Sequence, residues 1–188
     1  MSDHQFIKNY LQDFIEALKP DDDSVESLIQ VRNLLLEVNS NKKKALIFGN
    51  GGSAAIASHF SVDLTKNAKI KCLNFNEASL ITCLANDYGF EHWAEKAIEF
   101  YGNEGDLLIV ISSSGQSENM LNAAEAARNC NFQSVITLSG FSENNPLRKL
   151  GDVNLWVDNK SYNFVENIHQ IWLLAIVDLV IGNREYSA

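Results

Sequence analysis

Two stretches of this 188-residue chain combine small, flexible and hydroxyl-bearing residues in a way that suits an anion. The first is Gly49-Asn50-Gly51-Gly52-Ser53-Ala54. Glycines let a backbone turn sharply and approach a ligand closely. A helix opening there would present unpaired N–H groups and a positive dipole end, which favour a phosphate or polyol oxygen. Ser53 has the side chain to cap such a helix. The second stretch is Ile111-Ser112-Ser113-Ser114-Gly115-Gln116-Ser117. Its hydroxyls add donors without adding charge, so binding of phosphate there is reversible and selective. Either loop alone is compatible with a plain strand-to-helix turn; two of them, each between an apolar run and a helical pattern, form a much stronger signal. The first loop also fits G-x-G-x-x-A, the spacing of a dinucleotide fold. However, the next apolar run ends Leu73-Asn74-Phe75-Asn76, with no acid to hold a ribose, and no G-K-[ST] follows for a nucleoside triphosphate.

Further residues have the types and spacing for acid–base or metal chemistry. His59 and Asp63 stand four apart, and Glu166 and His169 three apart, so each pair shares one face of a helix. The four together make a mixed nitrogen–oxygen set suited to zinc or a similar divalent ion. Such an ion polarises a carbonyl and stabilises an enediolate. His169 reads equally well as an interface or capping histidine. His4 and His92 read as surface residues, and Phe164 and Trp172 as packing rather than a ligand platform.

The elements that must position these residues follow from periodicity. Phe6, Ile7, Tyr10, Leu11, Phe14, Ile15 and Leu18 mark one amphipathic helix. Val25, Leu28, Ile29, Val31, Leu34, Leu35 and Val38 mark a second, beyond Pro20, with acids at its start that favour the dipole. Residues 1–40 therefore form an N-terminal helical segment of the same domain as the α/β region 41–188. Their apolar faces need a cover, and an oligomer supplies it. From Lys44 onward, apolar runs at 45–48, 70–73, 107–111, 134–138 and 153–157 alternate with helical spacing at 53–66 and 118–129. That alternation predicts an α/β fold with a parallel sheet covered on both faces and right-handed crossovers. Ligands bind beyond the carboxyl ends of such strands, where both loops fall.

Composition narrows the partners. Net charge is −9, and the basic residues cluster only at Lys42, Lys43 and Lys44, which read as a solvated strand entrance. Nucleic-acid binding through many phosphates is not expected. Three cysteines (Cys72, Cys83 and Cys130), none in C-x-x-C, point to a reducing, cytoplasmic setting. The polar start of the chain does not read as a secretory segment. The longest apolar stretch, Ile171–Ile181, is broken by Asp178 and is shorter than the ~20 residues of a membrane span, so it reads as a buried helix.

With those residues in hand, the chain resembles the SIS (sugar isomerase) family, and within it the bacterial phosphoheptose isomerases. The resemblance rests on Gly49–Ala55, His59-Phe60, Ala85-Asn86-Asp87-Tyr88-Gly89-Phe90-Glu91, Gly105–Ile109 and Ile111–Ser117, in that order along the chain. It implies a five-stranded parallel sheet and a tetramer with active sites between subunits. It also implies a sugar-phosphate ligand contacted by Asn50, Gly51, Gly52, Ser53, Asn86, Asp87, Ser112, Ser113, Ser114 and Ser117. The implied activity is aldose–ketose isomerisation of sedoheptulose 7-phosphate to a heptose 7-phosphate through an enediol, feeding lipopolysaccharide or capsule synthesis. Asp63, Glu166 and His169 are the candidate catalytic residues of this chain, and His59, Asp63, Glu166 and His169, on the donor types above, its candidate zinc ligands. The chain departs from the family pattern at two places: Asp63 stands for a Glu, and Leu174 stands where a second late-helix His belongs. A non-catalytic SIS module, binding sugar phosphate or a partner such as a replication initiator, is the alternative that Leu174 raises.

Overall fold

The computed structural model describes residues 1–185. Helix α1 (Asp3–Leu18) starts where the Ser2 hydroxyl accepts from the Gln5 N–H, and α2 (Asp22–Ser40) starts at a reciprocal Asp21–Ser24 capping box. The α/β region then runs β1 (Ala45–Gly49), α3 (Gly52–Lys66), β2 (Cys72–Asn74), α4 (Ala78–Tyr88), α5 (Trp93–Tyr101), β3 (Leu107–Ser112), α6 (Glu118–Asn129), β4 (Ser134–Ser139), β5 (Val153–Trp156) and α7 (Tyr162–Ile181). The five strands pair in parallel in the order β2-β1-β3-β4-β5. Order turns at β1 and β3, so the tips of these neighbours form the crevice in which a parallel sheet takes its ligand.

Alternation along the strands divides the core in two. Ala45, Ile47, Leu107, Ile109 and Ile111 meet Val31 and Leu35 of α2, Phe60 and Leu64 of α3, and Leu173, Ile176 and Val177 of α7. Leu46, Phe48, Leu108 and Val110 meet Leu84 of α4, Trp93 and Ile98 of α5, and Met120 and Ala124 of α6. A strand covered on both faces has no polar side to offer, hence the unbroken apolar runs.

Three sequence expectations shift. The second strand begins at Cys72 rather than Ile70, because the Ile70 N–H bonds back to the Leu64 carbonyl and Lys69 takes φ 61°. The stretch between β2 and β3, unassigned from periodicity, holds two helices, α4 and α5. The run Ile171–Ile181 is the second half of a 20-residue helix that is long and apolar enough to cross a membrane by those measures alone, so the reading of too short a segment is corrected. Nor is that helix buried all round: Leu173, Ile176 and Val177 enter the core, while Ile171 and Leu179 are exposed.

Helix α1 lies outside both cores. None of its residues is buried, and its Tyr10 and Phe14 rest edge-on against Phe164 of α7 at 4.8 and 5.3 Å between ring centroids. Phe6, Ile7, Leu11 and Ile15 are each more than half exposed.

Candidate functional site

Strand β1 delivers its chain into α3 through Gly51, whose φ 54° and ψ −120° suit only glycine. No atom stands within 4 Å of where a Cβ would be, so backbone conformation rather than space selects glycine at this position. At Gly52 a Cβ would meet the carboxylate of Glu166, which α7 brings onto the opening of α3 and which would have to swing away. Strand β3 delivers its chain into the serine loop, which Gly115 closes at φ 67° with its N–H on the Ser112 carbonyl. The Ser112 and Ser117 hydroxyls stand 3.0 Å apart across it. Asn50 and the buried Asn119 exchange reciprocal amide hydrogen bonds of 3.0 and 2.9 Å, tying the first loop to the opening of α6.

A pocket of ≈120 Å³ opens between these loops, lined by Asn50, Ser53, Ile111, Ser112, Ser113, Ser114, Ser117, Tyr162 and Glu166. Helices α3, α6 and α7 all begin beside it, and none has a side-chain hydrogen bond at its N-cap. By contrast α1, α2 and α4 are each capped by a side chain, from Ser2, Asp21 and Glu77. Three uncapped N-termini aimed at one hydroxyl-lined pocket leave orphan N–H groups and positive dipole ends for an anion. An acidic chain thereby gains a local anion site without a single Lys or Arg in its lining.

Helices α3 and α7 pack side by side from the pocket onward, and the seam between them carries the other candidates. Four residues past Glu166, the Gln170 side-chain amide stands 2.9 Å from His59 Nδ1. His59 Nε2 lies 3.3 Å from Asp63 Oδ2, and Asn67 Nδ2 donates to Asp63 Oδ1 at 3.2 Å. His59 is about 10 Å along α3 from Gly52, counting seven residues at ~1.5 Å each.

Several sequence expectations are not met in the protomer. His169 faces the core, wholly buried, with Nε2 at 3.1 Å from the Ser139 carbonyl and Nδ1 unpartnered. Burial lowers its pKa to about 4 against a weaker upward pull from that carbonyl, so the ring is neutral. It stands neither on the Glu166 face nor beside His59, and the catalytic and metal roles expected of it are withdrawn. The set His59, Asp63, Glu166 and His169 therefore does not converge. Among the described residues, no three His, Cys, Asp or Glu side chains stand together in a group able to hold a metal ion. No third expected donor joins His59 and Asp63, so the donors of one protomer do not fit zinc. Asn86 and Asp87 are exposed near the end of α4, bonded to each other at 2.9 Å, and are not among the pocket's lining residues.

Sequence reading missed one residue of the pocket's lining, Tyr162, and two that bond to expected site residues, Asn119 to Asn50 and Gln170 to His59. Tyr162 lies one turn before Glu166, Asn119 is the second residue of α6, and Gln170 lies one turn after Glu166. The spacing of four places Tyr162 and Gln170 on the Glu166 face and was available as a signal. The Asn50–Asn119 pairing, across 69 residues, carried none.

A parallel sheet with paired anion-binding loops at the tips of β1 and β3 defines an α/β domain for a small phosphorylated ligand. More narrowly, the profile of the SIS domain matches residues 7–140, and the chain belongs to that family. It is 34% identical over 172 residues to "Phosphoheptose isomerase" of Helicobacter pylori (strain P12), covering 88% of each chain. The solved phosphoheptose isomerase GmhA of Neisseria gonorrhoeae superposes with a TM-score of 0.89 at 29% identity, over 95% of this chain and 99% of that one. A phosphoheptose isomerase from Francisella tularensis superposes with a TM-score of 0.87 at 27% identity, over 97% and 100%.

Proposed function

We propose that this protein is a sugar-phosphate aldose–ketose isomerase of the phosphoheptose isomerase type, converting sedoheptulose 7-phosphate to D-glycero-manno-heptose 7-phosphate. The observation that carries the reading is the convergence of three uncapped helix N-termini on the serine-lined pocket, in a chain similar to phosphoheptose isomerases over most of its length. The phosphate occupies that pocket. The sugar then extends past Glu166 along the α3–α7 seam toward His59.

Glu166 meets the middle of the sugar, where a carboxylate accepts hydroxyl hydrogens. Asp63, held by His59 and Asn67, stands at the reacting end. There it takes a proton from C1 while the C2 carbonyl oxygen gains one from solvent, giving the enediol, and it returns a proton to C2 while the C1 hydroxyl gives its own up to solvent. Asp63 and Glu166 are the carboxylates of this chemistry. We propose further that the protein works in the cytoplasm as a tetramer, with neighbouring subunits covering α1 and bringing Asn86 and Asp87 to a partner's site.

Asp63→Asn is expected to keep sugar-phosphate binding within a few-fold. It should lose about a hundredfold or more in solvent deuterium exchange at C1 of sedoheptulose 7-phosphate. Equal exchange in variant and wild type removes Asp63 from the chemistry. Tight binding with no exchange in the wild type itself would favour a non-catalytic SIS module, the reading that the apolar Leu174 supports.

A further inference from the structure

His59 presents a puzzle of packing. Its side chain is 48% exposed, so the core does not hold it, yet both ring nitrogens face side chains from two different helices. Asp63 Oδ2, on its own helix, stands 3.3 Å from Nε2. A carboxylate at that distance offers only acceptors, which favours the hydrogen on Nε2. In the neutral ring Nδ1 is then the acceptor, and the partner it needs is a donor. Gln170 of α7 supplies one through its side-chain N–H group, at 2.9 Å. The line continues beyond Asp63, whose second oxygen accepts from Asn67. Four side chains, Gln170, His59, Asp63 and Asn67, thus form one row on the surface of the seam, with hydrogen bonds at its two ends and a 3.3 Å contact between His59 and Asp63 in the middle.

The row does more than join helices. The α3–α7 contact already buries Ala57, Phe60, Leu64, Leu173, Ile176 and Val177, so packing sets the distance between the helices. What packing leaves free is the rotation and tautomer of an exposed imidazole. Gln170 also lies on the Glu166 face, one turn further from the pocket, so it acts where the extended sugar ends.

We propose that Gln170 is a positioning residue: it holds the His59 ring as the Nε2–H tautomer, turned so that Nε2 fixes the Asp63 carboxylate for proton transfer. The catalytic part of this inference rests on the isomerase reading above; the part concerning the ring does not. A methyl-ended side chain at 170 keeps the volume but donates nothing, and a carboxylate there accepts where a donor is required.

The test uses the intact protein labelled with ¹⁵N-histidine, whose four histidines keep the spectrum readable, with His59 assigned through His59→Asn. At mildly alkaline pH the wild type should show His59 with a protonated Nε2 and a hydrogen-bonded, unprotonated Nδ1. Gln170→Leu should move the Nδ1 signal toward a free nitrogen and mix the tautomers. Deuterium exchange should fall about tenfold in kcat with KM within about twofold, the signature of lost positioning rather than lost binding. Gln170→Glu should shift the same signals in the opposite sense, toward a protonated Nδ1, and be no more active than Gln170→Leu. Unchanged His59 signals in both variants overturn the inference, and so do changed signals with an unchanged kcat. Changed signals in a wild type that turns over no sugar phosphate leave the ring assignment standing and remove the isomerase reading instead.

Discussion

His169 shows how one residue can carry the right chemistry in the wrong place. Its spacing from Glu166 put the two on one face in the sequence, but α7 packs so that Ile168, His169 and Val165 turn to the protein interior while Glu166 and Gln170 do not. A buried neutral ring has a cost that appears on acidification. Its folded pKa of about 4 lies below its ordinary value of 6.5, so the unfolded chain binds the extra proton between them. Its contribution to stability is complete above pH 6.5, falls by up to about 1.4 kcal/mol per pH unit toward pH 4, and changes no further below that. His169→Gln, which keeps a donor for the Ser139 carbonyl, is expected to unfold with a shallower pH dependence in that window by about one proton. Denaturant midpoints measured at pH 7, 5.5 and 4 check this. Parallel profiles for the two proteins would place the ring in contact with water. The residue-scale lesson is that helical spacing identified the right face for Glu166, and by the same rule pointed to Tyr162 and Gln170, but three-residue spacing did not distinguish a site face from a core face.

At the scale of elements, the strands and the helices after the loops were legible because their burial is symmetrical and their periodicity strong. Strands β1, β3, β4 and β5 lie within one residue of their apolar runs, α3 begins inside the first loop at Gly52, and α6 begins directly after the second. What sequence left dark is how the elements are clamped. Asn50 and Asn119 join the openings of α3 and α6 through two reciprocal amide bonds, and Asn119, unlike Asn50, does not stand out in its local context. Removing one partner leaves a part-buried amide unsatisfied, at about 1–3 kcal/mol. Asn119→Leu should therefore lower stability by that order and raise KM for the sugar phosphate several-fold, since the two dipole ends lose their common aim. Thermal unfolding and steady-state kinetics read the two effects separately. A loss of stability with an unaltered KM would mean that the loops keep their alignment by the sheet alone.

At the scale of the whole molecule, the exposed stripe of α1 is the feature a lone chain does not explain. Phe6, Ile7, Leu11 and Ile15 line one side of a helix with no buried residue of its own, an apolar surface of the kind that marks an interface. The tetramer proposed above predicts a solution mass near four times 21.0 kDa, and Leu11→Lys with Ile15→Lys should lower it. Light scattering coupled to size exclusion measures both, and a wild type running as a monomer would contradict the assembly. The central claim concerns the pocket: three helix N-termini and the serine loop, with no basic side chain, grip the phosphate of a sugar that runs along the α3–α7 seam. The most direct measurement is a crystal structure of Asp63→Asn soaked with sedoheptulose 7-phosphate. The account predicts phosphate oxygens accepting from the hydroxyls of Ser112, Ser114 and Ser117 and the carbonyl end beside His59. Phosphate bound elsewhere, or a sugar chain leading away from the seam, would contradict it.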